Sequence, residues 1–299
     1  MDFLYSVIRD FDGFIHKDIN ELGIQYQPNM GNTAVIAYCP KNPKIMLRIH
    51  ITNDLGYYSE DAGFKWKRME SVGGVGGGRG AITEIGDEKY RFFHSTKDGI
   101  MFSDDYGKNW QDSKGLTGEE FGIFVELSDP MIIYSYSYVR KSELFPQAKT
   151  ILSISGDGGK TFKSKLVSDY DGSEFSNRIG YIEEGKFALS AGNNGIYIVS
   201  HFGDKIQKLE NVEYCKTIGF GAPEKSGNIN TLYMYGRPLK NDPDGLYRSQ
   251  DGGISWELVN HQKLYGGTGD GNFIVGDMNN FGTFYMSSLG YGIIYGKLK

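Results

Sequence analysis

Gly245-Leu246-Tyr247-Arg248-Ser249-Gln250-Asp251-Gly252-Gly253-Ile254-Ser255-Trp256-Glu257-Leu258-Val259 is the stretch whose reading decides the fold. An alternating run enters a Ser-x-Asp-x-Gly-x-x-aromatic turn, and a second short alternating run leaves it, which is the signature of a β-hairpin. The turn residues have separate tasks. Ser and Asp can bond backbone groups within the turn, and Gly permits a positive φ. The aromatic is expected to fold back between sheets and be largely buried.

The same pattern recurs at Ser59 to Trp66, Ser103 to Trp110 and Ser155 to Phe162. Its aromatics fall at positions 66, 110, 162 and 256, in steps of 44, 52 and 94. The last step is twice 47, between the other two, which places a degenerate fifth copy near residue 206, where Gly195 to Ser200 and His201 to Ile206 supply a strand, a Ser and a turn. This spacing matches one four-stranded blade, and such units bury their faces only by packing against neighbours. The expected fold is therefore all-β: a single Asp-box β-propeller over residues 1–299, of seven blades with six as the alternative, closed by strands from both termini.

Composition agrees with this reading. There are 42 Gly, 21 Tyr and 18 Phe against 8 Pro, as short strands with tight turns require. No segment sustains a 3.6-residue apolar period, so helix is expected only in short turns, with 119–125 the best candidate. The net charge of -5 comes with interspersed signs, so a nucleic-acid partner is not expected. Neither a membrane-spanning run nor a signal peptide is read in the chain. Cys39 and Cys215 match neither a zinc site nor a disulfide framework and read as buried small residues.

Four recurring aspartates, Asp61, Asp105, Asp157 and Asp251, resemble catalytic acids, but recurrence in every box argues for a folding role. The glycine-rich segment from Gly73 to Ala81 weakly matches a dinucleotide loop, yet no helix or βαβ unit follows it. It is expected to be a flexible, substrate-facing loop. The five histidines have no metal-ligand spacing, and no nucleophile motif is present, so neither a metal nor another cofactor is expected.

Two further segments carry a resemblance. The closing stretch from Gly245 through Val275-Gly276-Asp277 to Gly290-Tyr291-Gly292-Ile293-Ile294-Tyr295-Gly296, and the opening Ser6-Val7-Ile8-Arg9-Asp10-Phe11-Asp12-Gly13-Phe14-Ile15-His16, resemble the second propeller of glycoside hydrolase family 74. The resemblance implies a glycan-cleft half of a xyloglucanase-like hydrolase, with a xyloglucan-like β-1,4-glucan as partner and a second propeller across the cleft. It implies an inverting mechanism in which Asp10 is the general acid and the base lies on the other propeller. It also implies substrate contacts from Asp12, Phe14, His16, Tyr265 and Tyr291, with Tyr5 and Phe11 as further stacking candidates. Location outside the cell or at its surface follows from the same likeness. Arg9 and Asp12 stand where the family usually has glycines beside its catalytic Asp. The alternative is a non-catalytic propeller for carbohydrate binding or protein interaction. A sialidase would need an Arg-Ile-Pro segment, and none occurs.

Overall fold

The computed structural model describes residues 3–8, 11–141, 147–169, 178–259, 273–288 and 292–297. Its strands form seven antiparallel sheets, the architecture of a seven-bladed β-propeller, with a single 3-10 turn at His201–Gly203 as the helical content among the described residues. The first sheet is β1 (Leu4–Ile8), β2 (Asp12–His16) and β3 (Ile24–Gln25). The second runs β4 (Thr33–Tyr38), β5 (Met46–His50), β6 (Gly56–Ser59) and β7 (Lys67–Arg68). The third is β8 (Gly76–Gly86), β9 (Lys89–Thr96), β10 (Gly99–Ser103) and β11 (Gln111–Asp112). The fourth is β12 (Glu119–Val125), β13 (Ile133–Val139), β14 (Lys149–Ser155) and β15 (Lys163–Asp169). The fifth is β16 (Ile179–Glu183), β17 (Lys186–Ser190), β18 (Ile196–Ser200) and β19 (Lys205–Lys208). The sixth is β20 (Tyr214–Gly221), β21 (Thr231–Arg237), β22 (Gly245–Ser249) and β23 (Glu257–Leu258). The seventh is β24 (Ile274–Gly276), β25 (Phe284–Ser287) and β26 (Ile293–Gly296).

By contact density the chain divides into two compact units, Met1–Val139 with Ile151–Lys165, and Arg140–Thr150 with Leu166–Lys299. Each has its own core. In the first, Leu47, Ile49, Val72, Ile82 and Phe92 pack together, and Phe93, Ile100 and Ile133 form a neighbouring cluster. In the second, Ile196, Ile218, Leu232 and Met234 pack together. Each such side chain contributes about 1.5–3 kcal/mol by leaving water. Cys39 and Cys215 are free thiols buried in one cluster of each unit. Burial raises the pKa of both, that of Cys215 to about 12.

All four boxes join the third strand of a blade to its fourth, and their bonding is nearly identical. The Ser hydroxyl donates to the Asp carboxylate at 2.9, 2.8, 2.7 and 2.8 Å in chain order. It also accepts the N–H of Gly63, Gly107, Gly159 and Gly253 at 2.8–2.9 Å. The Asp then accepts the N–H four residues on, from Lys65, Asn109, Thr161 and Ser255. At Asp157, burial alone would raise the carboxyl pKa. Bonds from the Thr161 hydroxyl and N–H, the Ser155 hydroxyl and the Lys160 N–H outweigh it and hold the pKa at about 2. The fifth copy sits at the equivalent place, between β18 and β19.

Three expectations are corrected. Residues 119–125 are strand β12, not helix: a bulge between Glu119 and Gly122 breaks the two-residue alternation, and Phe121 and Val125 are both buried, which imitates a helical period. Gly76 to Gly80 belong to strand β8, not to a loop. A Cβ at Gly77 would lie 1.9 Å from the Ser95 carbonyl oxygen, and one at Gly80 would lie 2.7 Å from Val35, so close backbone approach explains these glycines. Of the box aromatics only Phe162 is fully buried. Trp66, Trp110 and Trp256 are half-buried.

Candidate functional site

Strands β1 and β2 form a hairpin in register from Leu4 opposite His16 to Ile8 opposite Asp12. Arg9 and Asp10 fall between them in sequence and lie outside the described residues, as do Tyr265 and Tyr291. Phe11 follows, well exposed, and its carbonyl accepts the side-chain amide of Gln25 at 3.0 Å. Phe14 and His16 share one face of β2, their rings 6.3 Å apart, both half-buried. The His16 ring nitrogen Nε2 is 2.9 Å from the Ser6 hydroxyl, and burial lowers the imidazole pKa, favouring the neutral ring. The Tyr26 hydroxyl donates to the carbonyls of Ser6 and Phe14, both at 3.0 Å, and clamps the hairpin from behind. Tyr5 lies on β1 with its hydroxyl donating to the Ala62 carbonyl at 2.8 Å, in the turn of the first box.

Asp12 departs from its expected role as a surface contact. Its φ of 68° places it in the left-handed region, which turns the side chain inward, and the residue is 0% exposed. The carboxylate accepts the Met30 N–H at 3.0 Å, the Thr33 hydroxyl and the Arg48 guanidinium. The Asp12 N–H donates to the Gly31 carbonyl at 2.5 Å. Fully buried and holding three donors, this carboxylate is not a surface contact.

Arg48, also 0% exposed, is the partner that sequence reasoning missed. It donates to the Pro28 carbonyl as well as to Asp12, and its guanidinium lies 4.7–5.3 Å from the ring centres of Tyr57, Trp66 and Tyr26. Trp66 is the aromatic of the first box, so that box helps to wall the cation. A signal for this was present: all five residues of β5, Met46 to His50, are buried, and a charge within such a strand requires a partner. Asp12, where the resemblance expects Gly, is that partner. The backbone conformation suits Gly, and the Asp that replaces it is held there by three donors. What the arrangement can do is anchor the first residue of β2 in a site walled by aromatics.

The chain matches the family model described as BNR/Asp-box repeat at residues 247–258. It is 27% identical to a xyloglucanase from Paenibacillus sp, over 98% of this chain and 28% of that protein. It is 23% identical to the oligoxyloglucan-reducing end-specific xyloglucanase of Emericella nidulans, over 99% of this chain and 39% of that protein. Among solved structures it resembles the GH74 enzyme of Niastella koreensis, with a TM-score of 0.83 and 25% identity, covering 98% of this chain and 41% of that one. The chain spans well under half the length of each of these relatives. Its fold is a β-propeller like that of the GH74 enzyme it resembles.

Proposed function

We propose that the chain is the glycan-cleft half of a xyloglucanase-like, inverting glycoside hydrolase acting on β-1,4-glucan, with Asp10 as the general acid. The observation that carries this reading is likeness to xyloglucanases over nearly the whole chain, the Asp10 hairpin included. In an inverting enzyme one carboxylic acid protonates the leaving oxygen while a second carboxylate, roughly 6.5–9.5 Å away, activates water. The second carboxylate is assigned to another propeller, since the chain covers only part of its relatives' length. The buried Asp12–Arg48 pair anchors the start of β2, two residues after Asp10, and Phe14, His16, Tyr265 and Tyr291 are assigned the sugar contacts. A single domain over residues 1–299, closed by strands of both termini, and action outside the cell belong to the same proposal; among the described residues no helix is long and apolar enough to cross a membrane.

The test is hydrolysis of xyloglucan by the chain alone, by the chain mixed with a propeller carrying the second carboxylate, and by that mixture with Asp10→Asn. Activity that needs the second propeller and drops by about 10²–10⁴-fold in Asp10→Asn supports the assignment. An undiminished Asp10→Asn mixture refutes it. The second reading, a non-catalytic glycan-binding propeller, is favoured by Arg9 and Asp12 standing in place of the flanking glycines. It predicts xyloglucan binding without turnover in every mixture.

A further inference from the structure

The degenerate fifth box differs from the other four in a way that its missing residues alone do not explain. Aligned on its serine, the position that holds Asp in the others holds Phe202. His201, Phe202 and Gly203 take successive left-handed conformations with φ of 53°, 54° and 96°. For the two non-glycine residues this conformation costs about 1–2 kcal/mol each. The outcome of that strained turn is an aromatic ring at the surface: Phe202 is 37% exposed.

The ring is held in place rather than loose. The Phe202 backbone N–H donates to the Gly185 carbonyl at 3.0 Å. A Cβ built on Gly185 would come within 3.0–3.1 Å of three ring carbons, Cδ1 and Cδ2 among them, so one ring face lies flat over that glycine. The ring forms part of the wall of an open groove of about 610 Å³ on the fifth blade, within the usual range for small-ligand clefts of roughly 300–1,000 Å³. Ile198, Lys186, Gln207, Glu183, Glu184 and Lys205 line the groove with it. Two carboxylates and two ammonium groups balance, which disfavours a strongly charged ligand. An aromatic platform surrounded by donors and acceptors of both kinds suits a neutral polyhydroxylated ring, whose C–H face stacks while its hydroxyls find partners.

We propose that this groove is a second glycan-binding site, which takes one sugar ring of a neutral β-glucan chain on Phe202. The choice of a β-glucan rests on the xyloglucanase-like reading above; the site itself rests on the groove. Its test is affinity electrophoresis of the chain through gels containing xyloglucan, with polygalacturonate gels as a charged control. The variants are Phe202→Ala, Phe202→Gly and Phe202→Tyr. Gly removes the ring and suits a φ of 54°, so its loss of binding is not a loss of folding. Retention by xyloglucan is expected to weaken about three- to tenfold in the Ala and Gly variants and to persist in Phe202→Tyr. Unchanged retention of Phe202→Gly overturns the site and leaves the glycan reading intact. A wild-type chain that xyloglucan does not retard overturns both, and stronger retardation by polygalacturonate overturns the ligand class.

Discussion

Asp12 and Arg48 form a closed electrostatic unit inside an aromatic box, and neither can be removed alone without stranding the other. A buried ion that loses its partner typically costs about 3–5 kcal/mol, whereas replacing both members with apolar groups costs far less. Asp12→Gly restores the residue type of the resembling family and suits the left-handed backbone, yet it leaves the Arg48 guanidinium with the Pro28 carbonyl as its hydrogen-bonding partner. It is therefore expected to destabilise the chain by about 3–5 kcal/mol in urea melts. Asp12→Gly combined with Arg48→Met should recover more than half of that loss. At Asp157 the sign of the pH effect follows from its lowered pKa. With about 2 in the folded chain and about 3.9 unfolded, the carboxylate contributes stability that is complete above about pH 4 and lost as the pH falls towards 2. Asp157→Asn should flatten that part of the melting temperature against pH curve, measured from pH 5 to 2, and leave its neutral-pH slope unchanged.

The box hairpin is the element from which the molecule is built, and its stability comes from two unequal sources. The Ser103 hydroxyl serves the buried Gly107 N–H and the Asp105 carboxylate together, so Ser103→Ala strands a buried donor at about 1–3 kcal/mol. Trp110 packs against the cluster of Val72 and Met69, and its indole N–H donates to the Ser71 carbonyl at 2.9 Å. Because it is half-buried, Trp110→Ala is expected to cost about 2–3 kcal/mol, below the 3–5 kcal/mol of a fully enclosed ring. Chemical denaturation of both variants checks the order of the two effects. These hairpins were legible in the sequence because all their decisive bonds close within five residues of one another. Strand β12 was not, since its alternation is broken by a bulge whose cause lies in the pairing with β13. The β8 glycines were misread for a similar reason: what they avoid touching, Ser95 and Val35, is distant in sequence.

At the scale of the molecule, blade number followed from the repeat interval, and the seven sheets agree with it. The candidate site was legible only as a likeness around Asp10; the ion partner of the neighbouring Asp12, Arg48, stands 36 residues beyond it and in another blade. The chain alone is expected to be retarded by xyloglucan and to release no reducing ends over hours, measured in parallel on one preparation. One more property follows from the two cysteines. Each compact unit encloses one thiol, and each thiol is doubly protected, by lack of access and by a raised pKa that suppresses the reactive thiolate. Alkylating reagents should therefore modify neither in the native protein at neutral pH. When modification does occur, its rate at Cys39 times the opening of the first unit and its rate at Cys215 that of the second. The unaltered sequence thus carries two internal clocks, read separately by peptide mass, for whether the two halves of the molecule breathe together or apart.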